Sequence, residues 1–177
     1  MAQFRSGHLV FLRLNDQGQW EYERQLWYRE GSWRTEMDGD TWIYTPRATW
    51  RQKLPDPRWV RRPEKSNFGR DLSGLAPTVL GGDFEKWGRE TQIRYLEAPD
   101  GPPGSFQVVV EPEGEKERIL LAIDQATSVP RYFEFHSLRG GRWHITHRVQ
   151  IELGLPLSPA LFAPGAPAPE QSPARLD

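Results

Sequence analysis

The sequence predicts a mainly β protein: a large curved antiparallel sheet, a half-barrel of about ten or eleven strands, with short helices covering the concave face. Three observations predict it. Aromatic and β-branched runs recur between the turn clusters Asn15-Asp16-Gln17-Gly18, Glu30-Gly31-Ser32 and Asp38-Gly39-Asp40, at the roughly 8 to 12 residue intervals of a hairpin meander. The stretch 142–153 alternates cleanly, with Trp143, Ile145, His147, Val149, Ile151 and Leu153 on one side and His144, Thr146, Arg148, Gln150 and Glu152 on the other. Hydrophobic residues make up only 37% of the chain, yet they include 8 Trp, 8 Phe and 5 Tyr, so the core must be built from large rings.

In chain order, strands are predicted at 7–14, 20–29, 32–38, 41–45 and 48–54, each joined to the next by a tight loop. Between 55 and 88 the character changes. Prolines stand at 55, 57, 63 and 77, a basic cluster gathers Arg58, Arg61 and Arg62, and Leu72, Leu75, Val79 and Leu80 recur at near-helical spacing. Gly74 and Pro77 break any long helix, so short helical turns crossing the sheet are expected over 69–88, one of them capped by Asp83. Strands resume at 89–97, 105–111, 118–124, 131–138 and 142–153. The domain is expected to span 5–162. The Pro/Ala-rich tail 163–177 lacks side chains large enough to offset ordering entropy and is expected to be disordered.

With 177 residues, one domain with one core is favoured over two. Charge is balanced, 23 Lys+Arg against 24 Asp+Glu, so no global basic field draws in nucleic acid or an anionic membrane. The longest apolar runs, such as 119–123, are strand length, well short of the ~18 residues of a membrane helix. No cysteine is present, which removes disulfides, thiolate metal sites and Cys nucleophiles together. The segment 1–7 carries no secretory signal pattern.

Candidate chemistry is sparse. His136, His144 and His147 could form a zinc set, but residues three apart in a strand face opposite ways, so His144 and His147 share an ion only across a bulge. No metal is expected; His147 should pack in the core and His144 be solvated. No Gly-x-Ser-x-Gly elbow surrounds any serine. Asp38 and Asp40 flank a glycine as hairpin turns require, and the Gly-Gly pairs at 81–82 and 140–141 also read as turns. Arg58-Trp59-Val60-Arg61-Arg62 has the composition of a single-strand nucleic-acid surface, but as one patch amid balanced charge it reads as a solvated loop. What remains is aromatic density on alternate positions: Trp20 and Tyr22 with Leu26 and Tyr28, Trp33 with Met37, Trp42 with Tyr44, and Trp50 with Leu54. The plain reading is an ordinary core; against it, one thin helical cover is small for so broad a sheet, and the surplus apolar face suggests an open hydrophobic groove.

Several segments resemble the LolA/LolB-like family of bacterial outer-membrane lipoprotein carriers and sorting proteins. They are Ile123-Asp124 with the turn to Val129-Pro130, the strand Arg131-Tyr132-Phe133-Glu134-Phe135, Gly140-Gly141-Arg142-Trp143, and the closing Leu155-Pro156-Leu157-Ser158-Pro159-Ala160-Leu161-Phe162. Upstream, Tyr28 to Met37 and Asp40-Thr41-Trp42-Ile43-Tyr44 are similar to that family's edge turn and following strand. The resemblance implies a half-barrel of about eleven strands with a helical lid over an acyl-chain cavity. It also implies an arginine near the second hairpin that ties the lid shut; Arg29 stands nearest that register and Arg34 is its rival. Two features depart from the pattern: the helix expected ahead of the first strand is absent or reduced to a few residues, and no protruding apolar insertion loop is evident.

The expected function is therefore a non-enzymatic carrier of the cell envelope, periplasmic or otherwise extracytoplasmic and monomeric, without cofactor or metal. It would hold acyl chains of a lipoprotein or lipid at about 0.8 kcal/mol per buried methylene. Trp20, Tyr22, Trp33, Trp42, Tyr44, Trp50, Leu75 and Leu80 are the expected lining. The alternative is an envelope sensor or regulator of the same fold that binds a membrane-protein partner. A lipid hydrolase would need a nucleophile and base that the sequence does not bring together, and nucleic acid is not expected.

Overall fold

The computed structural model describes residues 5–62, 91–96, 103–112 and 116–167. Eleven strands form one antiparallel sheet: β1 (Ser6–Leu14), β2 (Trp20–Arg29), β3 (Ser32–Met37), β4 (Asp40–Thr45), β5 (Ala48–Lys53), β6 (Val60–Arg62), β7 (Thr91–Leu96), β8 (Ser105–Pro112), β9 (Glu117–Asp124), β10 (Pro130–Arg139) and β11 (Arg142–Leu153). The strand order is β6-β5-β4-β3-β2-β1-β11-β10-β9-β8-β7, an open sheet with β6 and β7 at its ends and no closure into a barrel.

Turn chemistry fixes the first meander. Glu30 and Gly31 lie at φ 47° and 82°, Asp38 and Gly39 at 47° and 74°. Two consecutive positive-φ residues make the type I′ loop whose twist matches paired strands. Arg29 is thereby set against Ser32, and Met37 against Asp40. A third two-residue connection, Pro46-Arg47, sets Thr45 against Ala48, with Ala48 N donating to Thr45 Oγ1 at 3.1 Å.

The strands match the sequence expectation to within a residue or two, with two differences of substance. Residues 60–62, expected in a loop, form β6, pairing Val60 with Arg51, Arg61 with Trp50 and Arg62 with Thr49. Three residues are too few to show alternation, and Pro57 and Pro63 mask them as turn. The clean alternation expected for 142–153 also breaks. Phe135 pairs with His147 but His136 with Ile145, which leaves Thr146 as an extra residue, a bulge whose Oγ1 donates to Phe135 O at 3.0 Å. Ile145 and His147 therefore face opposite sides, whereas His144 and His147 share one. His136 lies on the other side with Glu134. Among the described residues no three His, Asp or Glu groups are placed to hold a metal ion.

The only described helix is one 3-10 turn, Pro159–Phe162, capped by Ser158, whose hydroxyl accepts from Ala160 N at 3.2 Å. The covering turns expected over 69–88, with Leu72, Leu75, Val79, Leu80 and Asp83, lie outside the described residues, as does 168–177 of the tail. Residues 163–167, expected in that tail, carry defined hydrogen bonds, including Ala166 N to Ala163 O at 3.2 Å.

Backbone contacts divide the chain into two units: Met1–Val10, Glu23–Leu80 and Glu152–Asp177 form one, Phe11–Tyr22 and Gly81–Ile151 the other. In the first, Trp27, Ile43, Leu161 and Phe162 form a buried cluster with Trp50, Trp59 and Leu157 packed against it. The C-terminal segment 155–167 thus lies as a strap across one face of β2–β5. Each fully buried large side chain contributes about 1.5–3 kcal/mol. In the second unit, Val108, Leu121, Phe133 and Val149 form one buried cross-strand row, and Val109, Leu120 and Glu134 form the adjacent row on the opposite face.

The β9–β10 turn is pinned by one carboxylate. Asp124 Oδ1 accepts from Ala126 N, Thr127 N and Thr127 Oγ1 at 3.0, 2.9 and 3.0 Å, and Oδ2 accepts from Arg131. The Arg131 guanidinium first, then the Thr127 donors, hold its pKa down at about 2. A carboxylate whose folded pKa is depressed adds stability above its unfolded pKa near 4, and that stability is lost as pH falls through the folded value. Melting temperature should therefore fall between about pH 4 and pH 2, and Asp124→Asn should flatten the pH profile in that window; an unchanged slope in the variant would remove Asp124 from the acid response.

Candidate functional site

The hairpin registers assemble two side-chain rows on one face of β2–β6. The first runs Tyr28, Trp33, Tyr44, Thr49, Arg62; the second runs Leu26, Thr35, Trp42, Arg51, Val60. Pleating puts alternate residues on one side, so a register fixed by three two-residue turns lines up aromatics that are far apart in sequence. Accessibility changes along both rows. Tyr28 is 4% and Leu26 2% exposed, Thr35 and Thr49 are buried, Trp33 and Trp42 are half-buried, and Tyr44 reaches 36% and Val60 46%.

Several interactions fix this face. Tyr28 and Trp33 stack with ring centroids 5.3 Å apart. The Arg51 guanidinium lies 4.7 Å from the Trp42 ring centre and is itself held by Asp40 through Nε at 2.9 Å and Nη2. That carboxylate pushes the Arg51 pKa up, so its charge is permanent. Burial raises the Tyr28 hydroxyl to about 12, and it has no hydrogen-bond partner among the described residues; nor does the buried Thr49 Oγ1.

Of the expected lining residues, Trp33, Trp42 and Tyr44 come together here. Trp50 does not: it pairs with Ile43 on the opposite face and packs against the Trp27 cluster, because the Pro46-Arg47 loop sets Tyr44 against Thr49. Trp20 and Tyr22 belong to the second unit, where the Arg148 guanidinium lies 4.7 Å from the Trp20 ring centre and 5.0 Å from that of Tyr132. Tyr22 is exposed. Leu75 and Leu80 lie outside the described residues.

Arg29 and Arg34, expected to tie down a lid, both bind the strap. Arg34 is buried; its Nη1 donates to Leu161 O at 3.2 Å and Ala166 O at 2.8 Å, while Nε and Nη2 hold Glu36 Oε1 at 2.9 and 2.7 Å. Arg29 donates to Leu157 O. Next to it an open pocket of about 360 Å³ is lined by charged Arg5, Arg29 and Glu30 and apolar Leu155, Pro156 and Leu157. His8 stacks on Trp27 at 4.9 Å on the strap's face of the sheet, and burial lowers its pKa against the opposing pull of Gln25 and Glu152.

Sequence reading missed a buried polar cluster in the second unit. Glu134 accepts from His136 Nε2 at 3.2 Å and from Arg148 Nε at 3.0 Å. Burial raises its pKa, yet the hydrogen bonds from His136 and Arg148 leave it lowered overall. These groups satisfy one another inside the sheet. The bulge at Thr146, which brings Ile145 to their side, leaves no mark in a single sequence. Arg51, Val60 and Arg62 were missed on the aromatic face, although the turn pairs Glu30-Gly31 and Asp38-Gly39 carry the register that predicts the first part of it.

No protein-family model and no curated protein matches the chain. Solved structures of MucB do. One of MucB in complex with MucA(peri) aligns at 16% identity and TM-score 0.44, covering 93% of this chain and 56% of that one. MucB alone gives 16% identity and TM-score 0.47 over 91% and 57%. The complex of Pseudomonas aeruginosa MucA and MucB gives 16% and 0.43 over 92% and 57%. The chain spans a little over half the length of the solved chains it is similar to.

Proposed function

We propose that the chain is a non-enzymatic binding domain of the bacterial cell envelope, acting outside the cytoplasm, that captures a segment of a membrane-protein partner on the aromatic face of β2–β6. One observation carries the reading. The face is anchored where Leu26 and Tyr28 are buried, holds Trp33 and Trp42 half-exposed, and presents Tyr44 and Val60 to solvent, so partly exposed rings stand on a fixed platform. Rings with few rotatable bonds, fixed by their neighbours, lose little entropy on binding and serve as anchors for protein segments. Glu134 and His136, the acid and base that lie together, are engaged with each other and Arg148, which favours structure over catalysis. MucB has been solved with MucA(peri); the same class of partner is proposed here on the strength of the aromatic face alone.

An acyl chain is the second reading, favoured by the apolar inner end of the rows at Leu26 and Tyr28. The two separate in one comparison. The full chain is applied to an array of overlapping peptides covering the extracytoplasmic segments of the host's single-pass membrane proteins, and is titrated in parallel with the fluorescent fatty acid cis-parinaric acid. The proposal expects discrete peptides to be retained and Tyr44→Ala to weaken them about tenfold. Saturable uptake of parinaric acid with no peptide retained would hand the face to lipid.

A further inference from the structure

We infer that the partner segment is acidic, and that Arg47, Arg61 and Arg62 at the β6 end of the sheet read its carboxylates. The inference rests on the proposed function and names the chemistry of the partner. In this part of the chain the other arginines are already engaged: Arg34 with Glu36, Arg51 with Asp40, Arg58 with Asp56 and Arg29 with Glu30 and Leu157 O. Arg47, Arg61 and Arg62 have no acidic partner among the described residues, and all three are exposed. Arg62 stands on the aromatic face, and Arg61, paired with Trp50, stands on the other side of the edge strand β6. Arg61 Nη2 reaches Arg47 O at 3.5 Å, and Arg62 closes the row that begins Tyr28, Trp33, Tyr44. Of the four large exposed apolar side chains among the described residues, three, Tyr44, Leu54 and Val60, belong to the same β4–β6 region.

Three exposed arginines with no acidic partner among the described residues, at the edge strand that carries the exposed Val60, in a chain whose formal net charge is −1, call for an opposite charge on whatever lands there. A second copy would bring the same arginines and be repelled. The edge is also blunted against self-pairing, since β6 is three residues long and follows Pro57. An anionic membrane surface is recognised by wider clusters, of about four to eight basic residues. The fitting occupant is an extended protein segment that alternates carboxylates with aliphatic side chains.

The test uses the full chain and two fluorescein-labelled peptides, one alternating glutamate with valine and one alternating lysine with valine, read by fluorescence anisotropy. The glutamate peptide should bind, weaken about tenfold in Arg61→Glu/Arg62→Glu, and weaken as salt is raised. The lysine peptide should show the reverse preference, binding the charge-reversed variant better than the wild type. Both substituted positions are exposed, so the melting temperature should hold; Arg61→Gln/Arg62→Gln, with a smaller loss, serves if it does not. Equal binding of the glutamate peptide by wild type and reversed variant would overturn the inference, as would tighter binding of phosphatidylglycerol vesicles or of oligo-dT. If charge reversal is silent while Tyr44→Ala still weakens array peptides, the acidic partner falls and the proposed function stands. If neither substitution matters, both fall.

Discussion

Arg34→Met is expected to destabilise the protein by about 3 kcal/mol and to release the C-terminal strap. The Arg34 side chain is 5% exposed and has four close contacts: two to Glu36 Oε1 and one each to Leu161 O and Ala166 O. Methionine fills similar volume but supplies no donor. Two strap carbonyls lose their Arg34 donor, and the half-buried Glu36 carboxylate loses the guanidinium that holds its Oε1 at 2.7 and 2.9 Å. Removing one member of a buried ion pair costs about 3–5 kcal/mol; the 21% exposure of Glu36 places this case at the lower end. Arg34→Lys should recover little, because a single ammonium cannot serve the carboxylate and the carbonyls with the same geometry. Urea unfolding reads the loss, and hydrogen exchange at Leu161 and Ala163, whose amides bond Ser158 O and Ala160 O, reads the strap. Native-like protection at both amides in Arg34→Met would mean that Leu161 and Phe162 hold the strap by packing alone.

Gly7→Ala should cost about as much, roughly 2–3 kcal/mol, by a different route. A Cβ at Gly7 would lie 2.6 Å from Tyr28 Cε1, 2.8 Å from the Tyr28 hydroxyl and 2.7 Å from Glu152 O. The ring is buried and stacked on Trp33, and the carbonyl belongs to the backbone of β11, so neither can retreat by a side-chain rotation. The β1 backbone must move, or the aromatic face must shift at its buried root. Tyr28→Leu in the same chain should recover part of the loss by clearing the ring while leaving the carbonyl. A denaturation midpoint for Gly7→Ala equal to that of the wild type would contradict the close packing of β1 under Tyr28.

The strand set was legible because its signals are local. Asp38-Gly39 and Glu30-Gly31 are residues that accept positive φ, and they bound runs too short and too aromatic for helices. Face assignment was legible only where register could be carried across a turn. Trp42 and Tyr44 share a strand and fell together; Trp50 was grouped with them by counting within its own strand, although its partner Ile43 places it on the strap's side. The strap itself could be read only in part. Leu161 and Phe162 stood in a recognisable closing motif, but that Arg29 and Arg34 reach its carbonyls depends on contacts more than 120 residues apart in sequence. β6 and the Thr146 bulge were hidden for a common reason: each depends on a neighbouring strand and neither has a periodicity of its own. The acid and base of the Glu134 cluster were visible as residues, but their mutual satisfaction is a product of register.

The most direct measurement of the central claim is hydroxyl-radical footprinting of the full chain, free and with a retained partner peptide, read at the aromatic and leucine side chains. Protection confined to Tyr44, Trp42 and Trp33, with Leu161 and Phe162 unchanged, is the predicted result: a partner seated on the open face while the strap stays in place. Protection absent from those three rings, or new reactivity at Leu161 and Phe162, would contradict it by moving the binding site to the face that the strap covers.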